Sequence, residues 1–159
     1  MIEHEYLTPE GLHKFERELE HLKTVRRAEV AQRLHDAMAE GEVEENPEFE
    51  DAKNEQAFVE GRIMTIETIL ANAILIEHNV KAPANEIRLG SKVTITEVGT
   101  KDQEHYILVG TAEADPMNGK ISNESPLGRS LIGHKLNDTI DVQTPDGTIK
   151  FKISKVNNR

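Results

Sequence analysis

At 159 residues and a net charge of −10, the chain has room for one domain or two small ones, and it is too acidic to wrap duplex nucleic acid. It has no cysteine, which excludes a disulfide frame and any thiolate metal site. No run approaches the ~20 apolar residues of a membrane span and no apolar leader opens the chain, so a cytoplasmic protein with no membrane contact is expected. The charge is uneven: residues 1–80 hold 19 acidic and 8 basic side chains, whereas 81–159 hold 10 and 11.

The first helix is announced by Thr8-Pro9-Glu10, an N-cap side chain before a proline whose missing N–H costs nothing at that position. Leu12, Phe15, Leu19 and Leu22 follow at helical spacing, and the stripe resumes less cleanly through Val30, Leu34 and Ala37 or Met38. Gly41 is a natural stop. Glu40 to Asp51 (EGEVEENPEFED) then carries seven carboxylates and no basic residue. Within it, Asn46-Pro47-Glu48 repeats the cap-then-proline start. The second helix has an a/d seam of Ala52, Gln56, Val59, Ile63, Ile66, Leu70 and Ala73.

Helices over 9–38 and 47–75 would each run roughly 45 Å at ~1.5 Å per residue. Equal arms around a short break predict an antiparallel coiled-coil hairpin in residues 1–79, with 40–51 as its acidic tip. An intermolecular coiled coil is the alternative. The basic residues of the arms (Lys23, Arg26, Arg27, Arg33, Lys53, Arg62) are expected to form i,i+4 pairs with the many glutamates.

Helical periodicity ends near Glu77, and Lys81-Ala82-Pro83-Ala84-Asn85 reads as a linker into a second domain, 80–159. Strands are expected at 92–98, 106–110, 139–142 and 148–156, with Pro145-Asp146-Gly147 as a hairpin turn. Pro126–Ile132 reads as a short helix capped by Ser125. The fold class is therefore α+β: a helical hairpin, then an antiparallel sheet of four or five strands with one helix laid on it.

These residues resemble the bacterial Gre transcript-cleavage factors of the GreA type over nearly the whole chain. The matching segments are Leu7-Thr8-Pro9-Glu10-Gly11, the tip from Gly41 through Glu42, Val43, Glu44, Glu45, Asn46, Pro47 and Glu48 to Phe49, Ala52-Lys53, Glu60-Gly61-Arg62-Ile63, Val109-Gly110, Glu113-Ala114-Asp115, Ile121-Ser122, Ser125-Pro126 and Leu131-Ile132-Gly133. The resemblance implies an FKBP-like second domain that docks at the rim of the RNA polymerase secondary channel, through Ser125 and Pro126. It implies that the hairpin enters that channel as a monomeric accessory factor, not a free-standing enzyme. The partners implied are bacterial RNA polymerase and the 3′ end of the nascent RNA in a backtracked complex.

The resemblance also assigns the chemistry. Glu42 and Glu45 fall where the family carries its two tip acids, which complete a weak Mg²⁺ site in the polymerase; the isolated tip has too few fixed ligands to hold the ion tightly. Glu45 matches in kind, and Glu42 is one methylene longer than the family's aspartate. Gly41, Glu44, Asn46, Pro47 and Phe49 support the tip, Pro47 and Phe49 standing for the commoner alanine and tyrosine. Lys53 is implied to contact the extruded RNA, with a salt bridge to Glu50 or Asp51 as the alternative.

Blander readings stand beside these. Glu48 and Glu50 favour the positive end of the second helix by about 0.3–1 kcal/mol each. The seven histidines show no metal-ligand spacing. A Gre-fold inhibitor that blocks the channel without promoting cleavage is the alternative function. A prolyl isomerase or chaperone is a second one, opposed by a domain whose aromatics are only Tyr106 and Phe151.

Overall fold

The structure, a computed structural model, describes residues 4–39, 46–76 and 84–158. It divides into two compact units, one of residues 12–72 and one that joins residues 1–11 to 73–159.

The first unit is the helical hairpin. Its first arm is α1 (Pro9–His21), a π-helical stretch (Leu22–Arg26) and α2 (Arg27–Ala39), and its second arm is α3 (Pro47–Ala71). Phe15, Leu22, Val30 and Ala37 are the buried apolar residues of the first arm. They are spaced by seven, eight and seven residues, so one residue too many separates Leu22 from Val30. The π-helical stretch lies in that interval and absorbs the extra residue, which returns Val30 to the buried side. This is the physical reason the stripe looks ragged in sequence. Thr24 donates its hydroxyl to the Glu20 carbonyl at 2.7 Å within the same wide turn. Ala52, Val59, Ile63 and Ile66 of α3 are buried as the seam predicts, Phe49 extends the buried stripe one turn earlier, and Gln56 is exposed. Ala37, not Met38, is the inward residue.

The basic side chains of the arms depart from expectation. Among the described lysines and arginines of the arms, only Arg26–Glu29 is a local pair; Arg26 and Arg33 both reach Glu55, Arg27 binds Glu60 at 2.7 Å, Lys23 binds Glu67 at 2.6 Å and Arg62 binds Glu18 at 2.7 Å. These are cross-arm pairs. Facing charges on antiparallel helices lie as close as charges one turn apart, and the cross-arm choice also fixes register. Their partners are largely solvated, so they set register more than they add stability.

The second arm ends earlier than the 47–75 expected. Asn72 caps α3, and Ala73–Leu75 becomes β2, paired in parallel with β1 (Glu5–Leu7). The Ile76 N–H extends that ladder to the Leu7 carbonyl at 2.7 Å. Strand pairing and the complete burial of Leu7 override the helical spacing that reads through Ala73.

The remaining strands are β3 (Lys92–Glu97), β4 (Gln103–Val109), β5 (Lys120–Ser122), β6 (Thr139–Thr144) and β7 (Gly147–Asn157), in the order β5-β4-β3-β7-β6. The sheet is mixed, because β5 runs parallel to β4 while every other pair is antiparallel. Three residues gave β5 no periodicity to read. Pro145 and Asp146 turn β6 into β7 as expected, with Gly147 at φ 122°. Ile87, Val93, Ile95, Leu108, Ile121, Leu131, Ile140, Val142 and Ile153 form one buried cluster, to which the short helix α4 (Pro126–Leu131) contributes Leu131.

Candidate functional site

The acidic tip is reached from both arms by described residues, while Gly41, Glu42, Glu44 and Glu45 lie outside them. On the second arm, Asn46 is the N-cap: its side-chain carbonyl accepts the Glu48 N–H at 3.1 Å, and Pro47 occupies the first helical position. The same side chain's amide donates to the Ala37 carbonyl at 3.3 Å, near the end of α2. One asparagine thus satisfies an orphan donor at the start of one arm and an orphan acceptor at the end of the other. That closes the stem beneath residues 40–45.

Phe49, one turn on, is buried in the seam, and Ala52 behind it is fully buried. The Lys53 ammonium stands 5.2 Å from the centroid of the Phe49 ring. Among the described residues this cation–π contact takes the place of the expected salt bridge to Glu50 or Asp51. It leaves the hydrogen-bonding capacity of the ammonium available. Phe49 therefore packs as a hydrophobe and braces a cation, which needs no phenol oxygen.

Ser125 and Pro126 sit at the start of α4. The Ser125 hydroxyl donates to the Ser122 carbonyl at 2.6 Å and accepts the Gly128 N–H at 3.1 Å, so both of its functions are engaged inside the unit. A Cβ on Gly128 would lie 2.0 Å from the Ser122 carbonyl oxygen, which only glycine avoids. Pro126 is exposed.

Sequence reading gave no role to a further contact. The Glu113 carboxylate accepts the Thr8 N–H at 2.8 Å and the Thr8 hydroxyl at 2.7 Å. The Thr8 oxygen accepts in turn from the Gly11 N–H at 3.0 Å, which makes it the N-cap that Thr8-Pro9-Glu10 predicts. Beside it, a Cβ on Gly110 would lie 2.2 Å from the Tyr6 carbonyl oxygen. The segments Leu7–Gly11, Val109-Gly110 and Glu113–Asp115 therefore meet in space. Glycines and an acid singled out a hundred residues apart were the available signal.

Among the described residues no group of three or more histidine, aspartate or glutamate side chains could hold a metal, and no helix is long and apolar enough to cross a membrane.

Residues 5–75 match the family described as transcription elongation factor, N-terminal, and residues 82–158 match transcription elongation factor, GreA/GreB, C-term. The transcription elongation factor GreA of Lactococcus lactis subsp. cremoris is 52% identical over 150 residues, 94% of this chain and 96% of that one. The GreA of Clostridium botulinum (strain Okra) is 48% identical over 151 residues, covering 95% and 94%. The chain belongs to the GreA/GreB family of transcription elongation factors. As a GreA/GreB factor it stimulates transcript cleavage by RNA polymerase, as an accessory and not as an enzyme. The crystal structure of GreA factor homolog 1 (Gfh1) of Thermus thermophilus is 28% identical, covers 97% of this chain and 99% of that one, and has a TM-score of 0.45, a likeness too loose to carry detail over.

Proposed function

We propose that the hairpin of residues 1–79 enters the polymerase secondary channel and presents Glu42 and Glu45 to the active site of a backtracked complex, while residues 80–159 dock at the rim. The observation that carries this reading is the double hydrogen bond of Asn46, which fastens both arms below the acids. A carboxylate on a closed stem loses less freedom on reaching its target than one on a frayed loop.

The charged side chains of the tip are all carboxylates, a donor set that fits a hard cation such as Mg²⁺, and Glu42 and Glu45 would hold it jointly with polymerase ligands. An ion held there would help to activate water or to stabilise the leaving oxygen of a phosphodiester. The chain's own part is delivery and positioning. Gly41 and Glu44 shape the tip, and Pro47 and Phe49 stiffen the start of α3. Lys53, held over the Phe49 ring, would bind a phosphate near the 3′ end of the RNA. Because the Ser125 hydroxyl is spent on its own helix, docking falls to the exposed Pro126 surface. The factor acts as a monomer in the cytoplasm, where its polymerase is.

The test is RNA shortening in a stalled, backtracked complex across a Mg²⁺ series. Glu45→Ala abolishes stimulated cleavage with polymerase affinity nearly unchanged, and Glu42→Asp preserves or raises it. Pro126→Glu gives a deficit that excess factor overcomes. Wild-type cleavage by Glu45→Ala at every Mg²⁺ concentration would remove the metal-ligand role.

A further inference from the structure

The five-stranded sheet has two faces of opposite character. Val93, Ile95, Leu108, Ile121, Ile140, Val142 and Ile153 turn to the core, so their neighbours in each strand turn the other way. Strand register gives the rows of that second face. Lys120, Ile107, Lys92 and Asn157 lie across one level, His105, Thr94 and Lys155 across the next, and Gln103, Thr96, Lys152 and Thr139 across the third. Four lysines and a histidine share these three rows with hydroxyls, amides and Ile107, and the next row pairs Lys150 with Asp141, the one carboxylate of β6 and β7 on this face.

A β-bulge builds this arrangement. Thr96 pairs with Lys152, but Thr94 pairs with Lys155 where regular alternation would place Ser154. The one-residue shift turns Lys155 onto the lysine face, diagonal to Lys92, and lets Val156 pack against the core. Ser154 stays at the same spot: its hydroxyl meets that of Thr96 at 2.9 Å and the Thr94 carbonyl at 3.2 Å. Beside the bulge lies a groove of about 360 Å³ lined by Lys92, Thr94, His105, Asn118 and Lys155 among others. No carboxylate lines it, whereas Lys92 and Lys120 also border a second cavity that Glu10 and Glu113 line. Lys92, Lys152 and Lys155 are exposed, and none is ion-paired with another described residue. In a chain of net charge −10 this is a local reversal of sign.

We propose that this sheet face binds the phosphate backbone of single-stranded nucleic acid. Through the bulge, Lys152 and Lys155 take successive positions on this face of β7, a step of roughly 7 Å that an extended phosphodiester chain can follow. The hydroxyl and amide donors between them suit the several acceptor oxygens of a phosphate. The two aromatics of these strands, Tyr106 and Phe151, pack against the core instead of offering a stacking platform. Binding is therefore to backbone and indifferent to base sequence.

The experiment is fluorescence anisotropy of a short labelled oligouridylate with the full chain and no polymerase, so that its outcome is independent of the cleavage mechanism. With about three phosphate contacts, log K falls with log salt at a slope of about −2. Lys92→Gln with Lys155→Gln weakens binding by about tenfold or more and flattens the slope to about −0.7, the value for one remaining contact. The charge-matched control, Lys14→Gln with Lys135→Gln, keeps the wild-type slope, and matched melting curves show that all three proteins are folded. An unlabelled DNA strand competes as well as RNA does. Equal losses in the two double variants, or none in either, would overturn the proposal. So would displacement of RNA by poly-glutamate at equal charge, which assigns the face to an acidic protein, or by a nucleoside triphosphate alone at equal phosphate concentration, which assigns it to a free nucleotide.

Discussion

The hairpin and the sheet unit are held together by different means. Two helices can bury only the stripe between them, here Phe15, Leu22, Val30 and Ala37 against Phe49, Ala52, Val59, Ile63 and Ile66. Ion pairs along both edges do the rest, by setting register more than by adding energy. The sheet unit instead closes nine buried side chains into one cluster under α4. The difference teaches where each can carry function. A two-helix seam leaves most side chains exposed and suits a long projection with its chemistry at the end. A closed core makes a rigid platform whose outer surfaces can be charged without loss of packing.

The largest expected contrast comes from the same deletion made in each unit. Ile153 and Ile66 are both fully buried. Ile→Ala costs about 2–5 kcal/mol, and the value rises with the cavity that remains. Ile153 sits in a core walled by sheet and helix that cannot collapse, so Ile153→Ala falls near the upper end. Around Ile66 two helices can move together, so Ile66→Ala falls near the lower end. Urea unfolding of each variant measures the two values, and equal losses would mean the seam is as confined as the core.

Next in size are the polar clamps, one per unit. Glu113→Ala leaves the Thr8 N–H and hydroxyl without their acceptor in a largely buried place, a loss of about 1–3 kcal/mol. Asn46→Ala removes a more exposed cap at about 0.5–2 kcal/mol. The ordering reverses for function. Asn46→Ala lowers stimulated cleavage because the stem below Glu42 and Glu45 opens, whereas Glu113→Ala affects cleavage only as far as it affects folding. Measuring cleavage beside melting temperature for both variants separates the two effects.

Much of this was legible in the sequence, and the failures have causes. The N-caps at Thr8, Asn46 and Ser125 could be read because capping is local chemistry, and so could the seam of α3 and the turn at Gly147. The conversion of Ala73–Leu75 to a strand could not, since its partner lies near the other end of the hairpin sequence. The π-helical stretch was visible only as a missed beat between Leu22 and Val30. The bulge that turns Lys155 outward depends on a register no single strand reveals. At the tip, residue chemistry gave Asn46 as an N-cap and the family resemblance gave it as support, but its hydrogen bond to Ala37 is a contact between the arms that neither reveals. The cross-arm ion pairs were missed for the same reason.

The smallest expected effects are in pH, and they have opposite signs in the two units. In the sheet unit, burial and the nearby Glu104 carboxylate, which accepts the Tyr106 hydroxyl at 2.9 Å, push that phenol up to about 12. A raised value means stability that is complete below the unfolded value of 10.0 and lost as pH climbs toward about 12. Wild type should therefore lose ground to Tyr106→Phe only across that alkaline interval. In the hairpin, the hydrogen bond from Arg27 holds the Glu60 carboxyl below its ordinary 4.5. A lowered value gives stability that is present above 4.5 and fades as pH falls through the folded-state value. The advantage of wild type over Glu60→Gln should thus be small at neutral pH, because both partners are solvated, and should vanish in acid when Glu60 is protonated. Melting curves of this pair from neutral pH down to 3 measure the difference. An advantage that persists at the acid end would mean that Glu60 stabilises the hairpin by packing, not by its charge.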